Sequence, residues 1–148
     1  MRIVVQRVKR ASVTVDGEIK GEINKGLLVY AGVQKGDTDA DIEYMASKLP
    51  GLRIFEDSEG RMNLDILQAG GEVLLVSQFT LQGDCRKGRR PSFDQAETPE
   101  AARVLYEKLA KRLGESVKVA TGEFQAHMEV ESINDGPVTM LLDSRRLF

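Results

Sequence analysis

The chain opens on short runs rich in β-branched residues, separated by polar positions and turn signals. They predict three strands, Ile3–Val8, Ala11–Val15 and Glu18–Ile23. Asp16-Gly17 joins the last two as a hairpin, because both positions of such a turn favour positive φ. The uninterrupted apolar run Leu27–Val33, bounded by Gly26 and Gly36, predicts a buried strand. The pattern then changes period. Thr38 caps a helix with acidic residues in its first turn, Ile42, Met45, Ala46 and Leu49 share one face, and Pro50-Gly51 stops it. Leu52–Phe55 predicts a strand, Asp57–Gly60 a polar turn, and Val73–Leu81 the most strongly patterned strand of all.

A polar loop, Gln82–Glu97, leads to a second helix. Thr98 caps it, Pro99 occupies its first position, Ala102, Leu105, Leu109 and Leu113 form its apolar stripe, and Gly114 ends it. Val117–Ala120, Phe124–Ile133 and Val138–Leu142 predict the closing strands. Many strands with two inserted helices predict a strand-rich α/β domain with mixed, largely antiparallel sheets. Regular βα alternation and a GxGxxG loop are both missing, which excludes a Rossmann fold.

Composition narrows the chemistry. At 148 residues, 41% hydrophobic, the chain suits one domain spanning 1–148, with a core that needs neither metal nor disulfide. A net charge of −2 argues against coating nucleic acid by bulk charge and leaves room for a local basic patch. The longest apolar runs are strand-sized, and the first residues turn polar too soon for a signal peptide, so a cytoplasmic domain without membrane attachment is expected. Cys85 and His127 each stand alone, which excludes intrachain disulfides and multi-Cys or multi-His metal sites.

Two segments stand out as chemistry. In Val73–Leu81 an apolar strand acquires Ser77, Gln78 and Thr80 at its end, the pattern either of a pocket rim or of a strand leaving the core. Asn134-Asp135-Gly136-Pro137-Val138-Thr139 is a tight turn between strands, and X-Pro bonds are cis in about 5–6% of folded cases. Arg86, Lys87, Arg89 and Arg90 put four cations in five residues, either a solvated loop or a phosphate contact. His127, inside an apolar run, reads as structural or solvent-facing, and Cys85 as a spectator thiol.

Ser77-Gln78-Phe79-Thr80-Leu81 and Asn134-Asp135-Gly136-Pro137-Val138-Thr139 resemble the two signature motifs of the D-aminoacyl-tRNA deacylases. The resemblance extends through Gln6-Arg7-Val8, Ala11–Gly17, Leu52-Arg53-Ile54-Phe55, Met62-Asn63-Leu64 and Arg86–Phe93. Pro50-Gly51 and Gly83-Asp84-Cys85 depart from the family pattern outside both motifs. The resemblance implies an α/β/β layered fold and a homodimeric editing enzyme. Its substrate would be the ester between a D-amino acid, or mischarged glycine, and the 3′ adenosine of tRNA. Gly136 and Pro137, joined by a cis bond and inserted into the partner subunit's site, would exclude L-amino acids, with Arg7 anchoring that motif. Ser77, Gln78, Phe79 and Thr80 would form the catalytic pocket, whose backbone N–H groups face the scissile carbonyl. Phe124 and Met128, four apart and so on one face if they lie in a strand, would meet the terminal adenosine.

No metal and no cofactor enter this reading. Thr80 has no base beside it in sequence, and a hydroxyl needs one to react at neutral pH. The ribose hydroxyl next to the ester can supply that function, so RNA-assisted hydrolysis is the mechanism favoured. A non-catalytic RNA-binding module is the main alternative, and a general small-molecule acyl hydrolase ranks last.

Overall fold

The computed structural model describes residues 1–148. Eight strands and two helices follow one another along the chain: β1 Arg2–Val15, β2 Glu18–Ile23, β3 Gly26–Gly32, α1 Asp39–Lys48, β4 Phe55–Glu56, β5 Met62–Leu64, β6 Glu72–Ser77, α2 Pro99–Gly114, β7 Val119–Thr121 and β8 Glu129–Asp143. A 3-10 turn, Phe79–Gln82, follows β6. The main sheet runs β2-β1-β3-β6-β7, with β8 also paired to β1. Pairings within it are antiparallel except β3–β6 and β6–β7. The α/β class and mixed sheet expected from the sequence are therefore present.

β1 organises both faces. Read as two strands in the sequence, it is one strand of 14 residues, and the polar pair Lys9-Arg10 interrupts it only locally. Its register against β8 shifts between Gln6 and Val8 and again between Val8 and Arg10. Such an irregularity moves later side chains to the opposite face. Ile3 and Val5 therefore join one core, with the apolar stripes of α1 and α2, whereas Val8, Ala11, Val13 and Val15 join another. β3 and β6 are buried on both sides and divide their residues likewise: Leu27, Val29, Val73 and Leu75 face the helices, Leu28, Leu74 and Val76 the second core. The result is a helix layer, a central sheet, and a second sheet layer formed as the curved sheet folds back.

Closure depends on a close approach. A Cβ on Gly21 of β2 would stand 2.3 Å from the carbonyl oxygen of Thr121 in β7, so the two edges of the sheet meet only because that position lacks a side chain. The sheet is thereby nearly a barrel.

The helix ends follow the sequence in part. Thr38 accepts from the Ala40 N–H while Asp41 reaches back to the Thr38 N–H, a closed capping box. Thr98 makes no such side-chain bond; its N–H instead donates to Glu97 Oε1 at 2.8 Å. Other strand assignments change as well. Leu52–Phe55 contracts to Phe55–Glu56, because Ile54 O is taken by a side chain, Arg7 Nη1, at 2.7 Å. Phe124–Met128 lies outside any strand, with Gln125 at φ 65°. The remainder, Glu129–Ile133, runs without a break through the Gly-Pro turn into the last strand.

Next to α1, the Met1 ammonium is wholly buried and lies 2.7 Å from the equally buried Asp37 carboxylate. Removing one member of such a pair strands the other charge. Asp37→Asn is expected to lower unfolding free energy by about 3–5 kcal/mol. In urea this appears as a reduced midpoint at unchanged m.

Candidate active site

Parallel β3 and β6 end side by side, Ala31 opposite Ser77, and the chain turns sharply there. The Gln78 N–H still donates to Ala31 O at 2.8 Å, the last bond of the ladder. From Phe79 the backbone winds into the 3-10 turn, so Val73–Leu81 is not one strand: it stops at Ser77. The cause is Gly32. A Cβ there would lie 2.7 Å from Gln78 O and 3.0 Å from Leu81 Cβ, and Gln82 Nε2 donates to Gly32 O at 2.8 Å. The first N–H groups of a 3-10 turn have no carbonyl partner inside it, which leaves those of Phe79 and Thr80 as donors at the strand end.

Beside this turn opens a cavity of about 570 Å³. Ala31, Val33 and Val76 line it, together with Ser77, Gln78, Phe79 and Phe93, with Phe124–Met128, and with Pro99, Ala102 and Tyr106 of α2. Five residues singled out from sequence thus meet: Ser77, Gln78, Phe79, Phe124 and Met128. Thr80 is exposed beside the cavity, its Oγ1 accepting from Gln78 Nε2. Phe124 and Met128 converge through an irregular segment and not through the shared strand face expected for them.

The cavity wall also contains residues that the sequence did not single out. Phe93 stands edge-on to Phe79, with ring centroids 5.2 Å apart. Tyr106 and Phe124 lie 5.6 Å apart, and the Arg103 guanidinium sits 4.7 Å over the Phe124 ring. Tyr106 lies outside the apolar stripe read for α2; only the fold brings it against the Phe124 segment. Tyr106 donates to Leu75 O at 2.7 Å, and burial pushes its phenol well up, so it remains a neutral donor and is no base. His127, read from the sequence as structural or solvent-facing, also lines the cavity, as does Glu97.

Other candidates lie elsewhere. Gly136 and Pro137 form an exposed turn with a cis peptide bond and do not line this chain's own cavity. Arg7, only 4% exposed, donates from Nε to Asp135 O at 2.9 Å and from Nη1 to Ile54 O, fixing that turn to the segment before β4. Asn134 braces it from within, accepting from the Val138 N–H at 3.0 Å and donating to Thr139 Oγ1 at 3.2 Å. In the basic loop, Arg86 is held by Asp84 in a two-point pair, its closest contact 2.6 Å. Lys87, Arg89 and Arg90 are exposed and make no ion pair. No three His, Cys, Asp or Glu side chains come together as metal ligands, and no helix is long and apolar enough to cross a membrane.

Comparison with known proteins identifies this architecture. Residues 4–143 match the family model described as D-Tyr-tRNA(Tyr) deacylase. D-aminoacyl-tRNA deacylases of Kosmotoga olearia and Desulfitobacterium hafniense are each 57% identical, over the full length of both chains. A solved structure described as c-Myc DNA unwinding element binding protein superimposes with a TM-score of 0.92 at 40% identity, covering 97% of this chain and 98% of that one. A probable eukaryotic D-amino acid tRNA deacylase shares the fold, with a TM-score of 0.79 at 18% identity over 95% and 97% of the two chains. The molecule is therefore a hydrolase of the aminoacyl-tRNA editing class. It belongs to the D-Tyr-tRNA(Tyr) deacylase family, whose reaction is hydrolysis of D-aminoacyl-tRNA.

Because the turn depends on the bare Cα of Gly32, Gly32→Ala is expected to displace Gln78 and Phe79. Deacylation should fall about 10²-fold, the scale of losing one preorganised donor. Measured alongside urea unfolding, this variant should lose far more activity than stability.

Proposed function

We propose that the chain cleaves the ester between a D-amino acid, or glycine mischarged on tRNA(Ala), and the 3′ adenosine of tRNA, while sparing L-aminoacyl esters. The observation that carries this reading is the convergence of Ser77, Gln78, Phe79, Phe124 and Met128 on one largely apolar cavity beside a turn with free N–H donors. In this reading Phe124 and Met128 receive the terminal adenine, and the N–H groups of Phe79 and Thr80 meet the charge that develops on the carbonyl oxygen. Lys87, Arg89 and Arg90 contact phosphates and position the RNA without reading its sequence, whereas Arg86 is turned to Asp84.

The working unit is a cytoplasmic homodimer of the whole chain. Gly136 and Pro137 are exposed and absent from their own cavity, and β8 presents Leu141 (59% exposed) and Ile133 (40%) on its open side. A second copy supplies what the single chain lacks: its Gly136-Pro137 turn, held by Arg7, enters the cavity and clashes with the side chain of an L-amino acid. Discrimination then comes from repulsion of the wrong enantiomer. Glycine, without a side chain, escapes it.

The chemistry is assigned to water and the substrate. The ribose 2′-hydroxyl activates the attacking water, the acyl–oxygen bond breaks, and the 3′-oxygen leaves with a proton. Thr80 Oγ1 bonds to an amide, Gln78 Nε2, which is no base. Thr80→Ala should therefore keep activity within about tenfold of the parent, whereas loss of a nucleophile costs on the order of 10³-fold or more. Single-turnover deacylation distinguishes the two.

A second reading, nucleic-acid binding without turnover, is favoured by the 40% identical relative described as a DNA unwinding element binding protein. Purified protein incubated with matched D- and L-tyrosyl-tRNA decides between them. The editing reading expects rapid loss of the D-ester with the L-ester spared; the binding reading expects both esters to be protected.

A further inference from the structure

A second cavity, of about 440 Å³, lies at the other end of the 3-10 turn, lined by Arg2, Gln82, Asp84, Cys85, Arg86 and Gln95. The turn separates the two: Phe79 lines the first, Gln82 the second. At about 2.0 Å rise per residue, the turn sets the cavities only a few ångströms apart along its axis. An extended strand leaving one would enter the other at its next nucleotide.

The walls of the second cavity differ in kind from those of the first. Arg2 is fixed by two bonds, Nε to Asp143 Oδ2 and Nη1 to Leu81 O, both 3.2 Å, while its Nη2 makes none within the chain. Arg86 is tied to Asp84 through Nε and Nη2, leaving Nη1. Gln82 is 1% exposed; its Nε2 is used on Gly32 O, and its Oε1 has no partner. Gln95 adds an exposed carboxamide. Fixed donors thus stand among fixed acceptors. A bare phosphate would meet the Asp84 carboxylate, and an apolar group would leave both kinds of partner unused. A nucleobase edge carries donors and acceptors together. Cytosine fits the set: its N4 amine donates to a carboxylate or carboxamide oxygen, and its O2 and N3 accept from guanidinium groups. Between the cavities, Phe79 is 59% exposed and braced by Phe93, a platform on which a base can stack.

We propose that this cavity receives the penultimate nucleotide of the tRNA 3′ end, the cytidine that precedes the terminal adenosine in every tRNA. The proposal rests on the deacylase reading of the first cavity. Binding is then shared between two adjacent subsites, and the second recognises a part of the substrate common to all tRNAs.

Two stable probes test it by calorimetric titration: adenosine carrying D-tyrosine through a 3′-amide, and the same molecule extended at its 5′ side by a cytidylyl residue. The extension is expected to tighten binding at least about tenfold, as one well-paired base does. Cys85→Trp, which fills the cavity from an exposed position, and Gln95→Ala should each remove most of that gain and leave affinity for the adenosine probe unchanged. A guanylyl extension should gain much less than the cytidylyl one. The proposal is overturned if the cytidylyl gain is absent, survives in both variants, or is matched by guanylyl. If the adenosine probe itself fails to bind the unaltered protein, the deacylase reading falls, and the proposal with it.

Discussion

Both cavities flank one four-residue turn, and that turn can form only because Gly32 has no side chain. A parallel pair such as β3–β6 normally continues its ladder or breaks into a loop. Here the chain after Ser77 presses directly onto the end of β3, where the missing Cβ leaves room for Gln78 O, and Gln82 locks the contact by donating to Gly32 O. The constraint is steric at one end and a buried hydrogen bond at the other. Together they place Phe79 in the lining of one cavity and Gln82 in the lining of the other. Preorganisation of this kind acts without reorganising when charge develops, which is why backbone donors on a rigid turn are effective.

The other half of the proposed machinery is carried by β1. Its bulge switches the strand from the helix-facing core to the inner core, and Arg7 sits at the switch, on the face of Ile3 and Val5. A buried guanidinium is costly unless its donors are satisfied, and Arg7 finds two carbonyls, those of Ile54 and Asp135. It therefore fastens the turn at Gly136 to a part of the chain some 80 residues earlier. Asn134 adds a local brace across the same turn. An exposed loop held at both its base and its side can present backbone atoms to a second molecule without paying again to order them.

Much of this was legible in the residues. Capping at Thr38, the stop at Gly114 and the Asp16-Gly17 hairpin are local signals, and local physics decides them. The two motif segments were recognisable as well. What was hidden is non-local. Lys9-Arg10 look like the end of a strand, yet β8 pairs across them and a bulge absorbs the change of phase. Phe79–Leu81 read as strand because it continues the pattern of Val73–Ser77, and nothing near it in sequence reveals the approach of Gly32. Tyr106 and Arg103 carry helix-surface patterning; their place against Phe124 depends on how α2 packs over β6.

The inventory of the first cavity bears on how it could accelerate a hydrolysis. Tyr106 is held neutral by burial and already donates to Leu75 O, and the amide of Gln78 can orient but not ionise. Glu97 has one oxygen engaged by the Thr98 N–H at the start of α2. What remains is a shaped, largely apolar space, a strand end rich in N–H donors, and aromatic surfaces that can fix an adenine. The two possible bases in the lining, Glu97 and His127, make no hydrogen bond to Ser77 or Thr80, so no protein hydroxyl is activated here. The site suits a substrate whose own neighbouring hydroxyl lies beside the reacting ester. For that substrate, orientation alone can account for a large share of the barrier, up to about 7–11 kcal/mol in well-aligned intramolecular reactions. Under the proposed RNA-assisted mechanism the editing of an aminoacylated ribose is a reaction of this kind, and the scarcity of catalytic side chains follows from the substrate's chemistry.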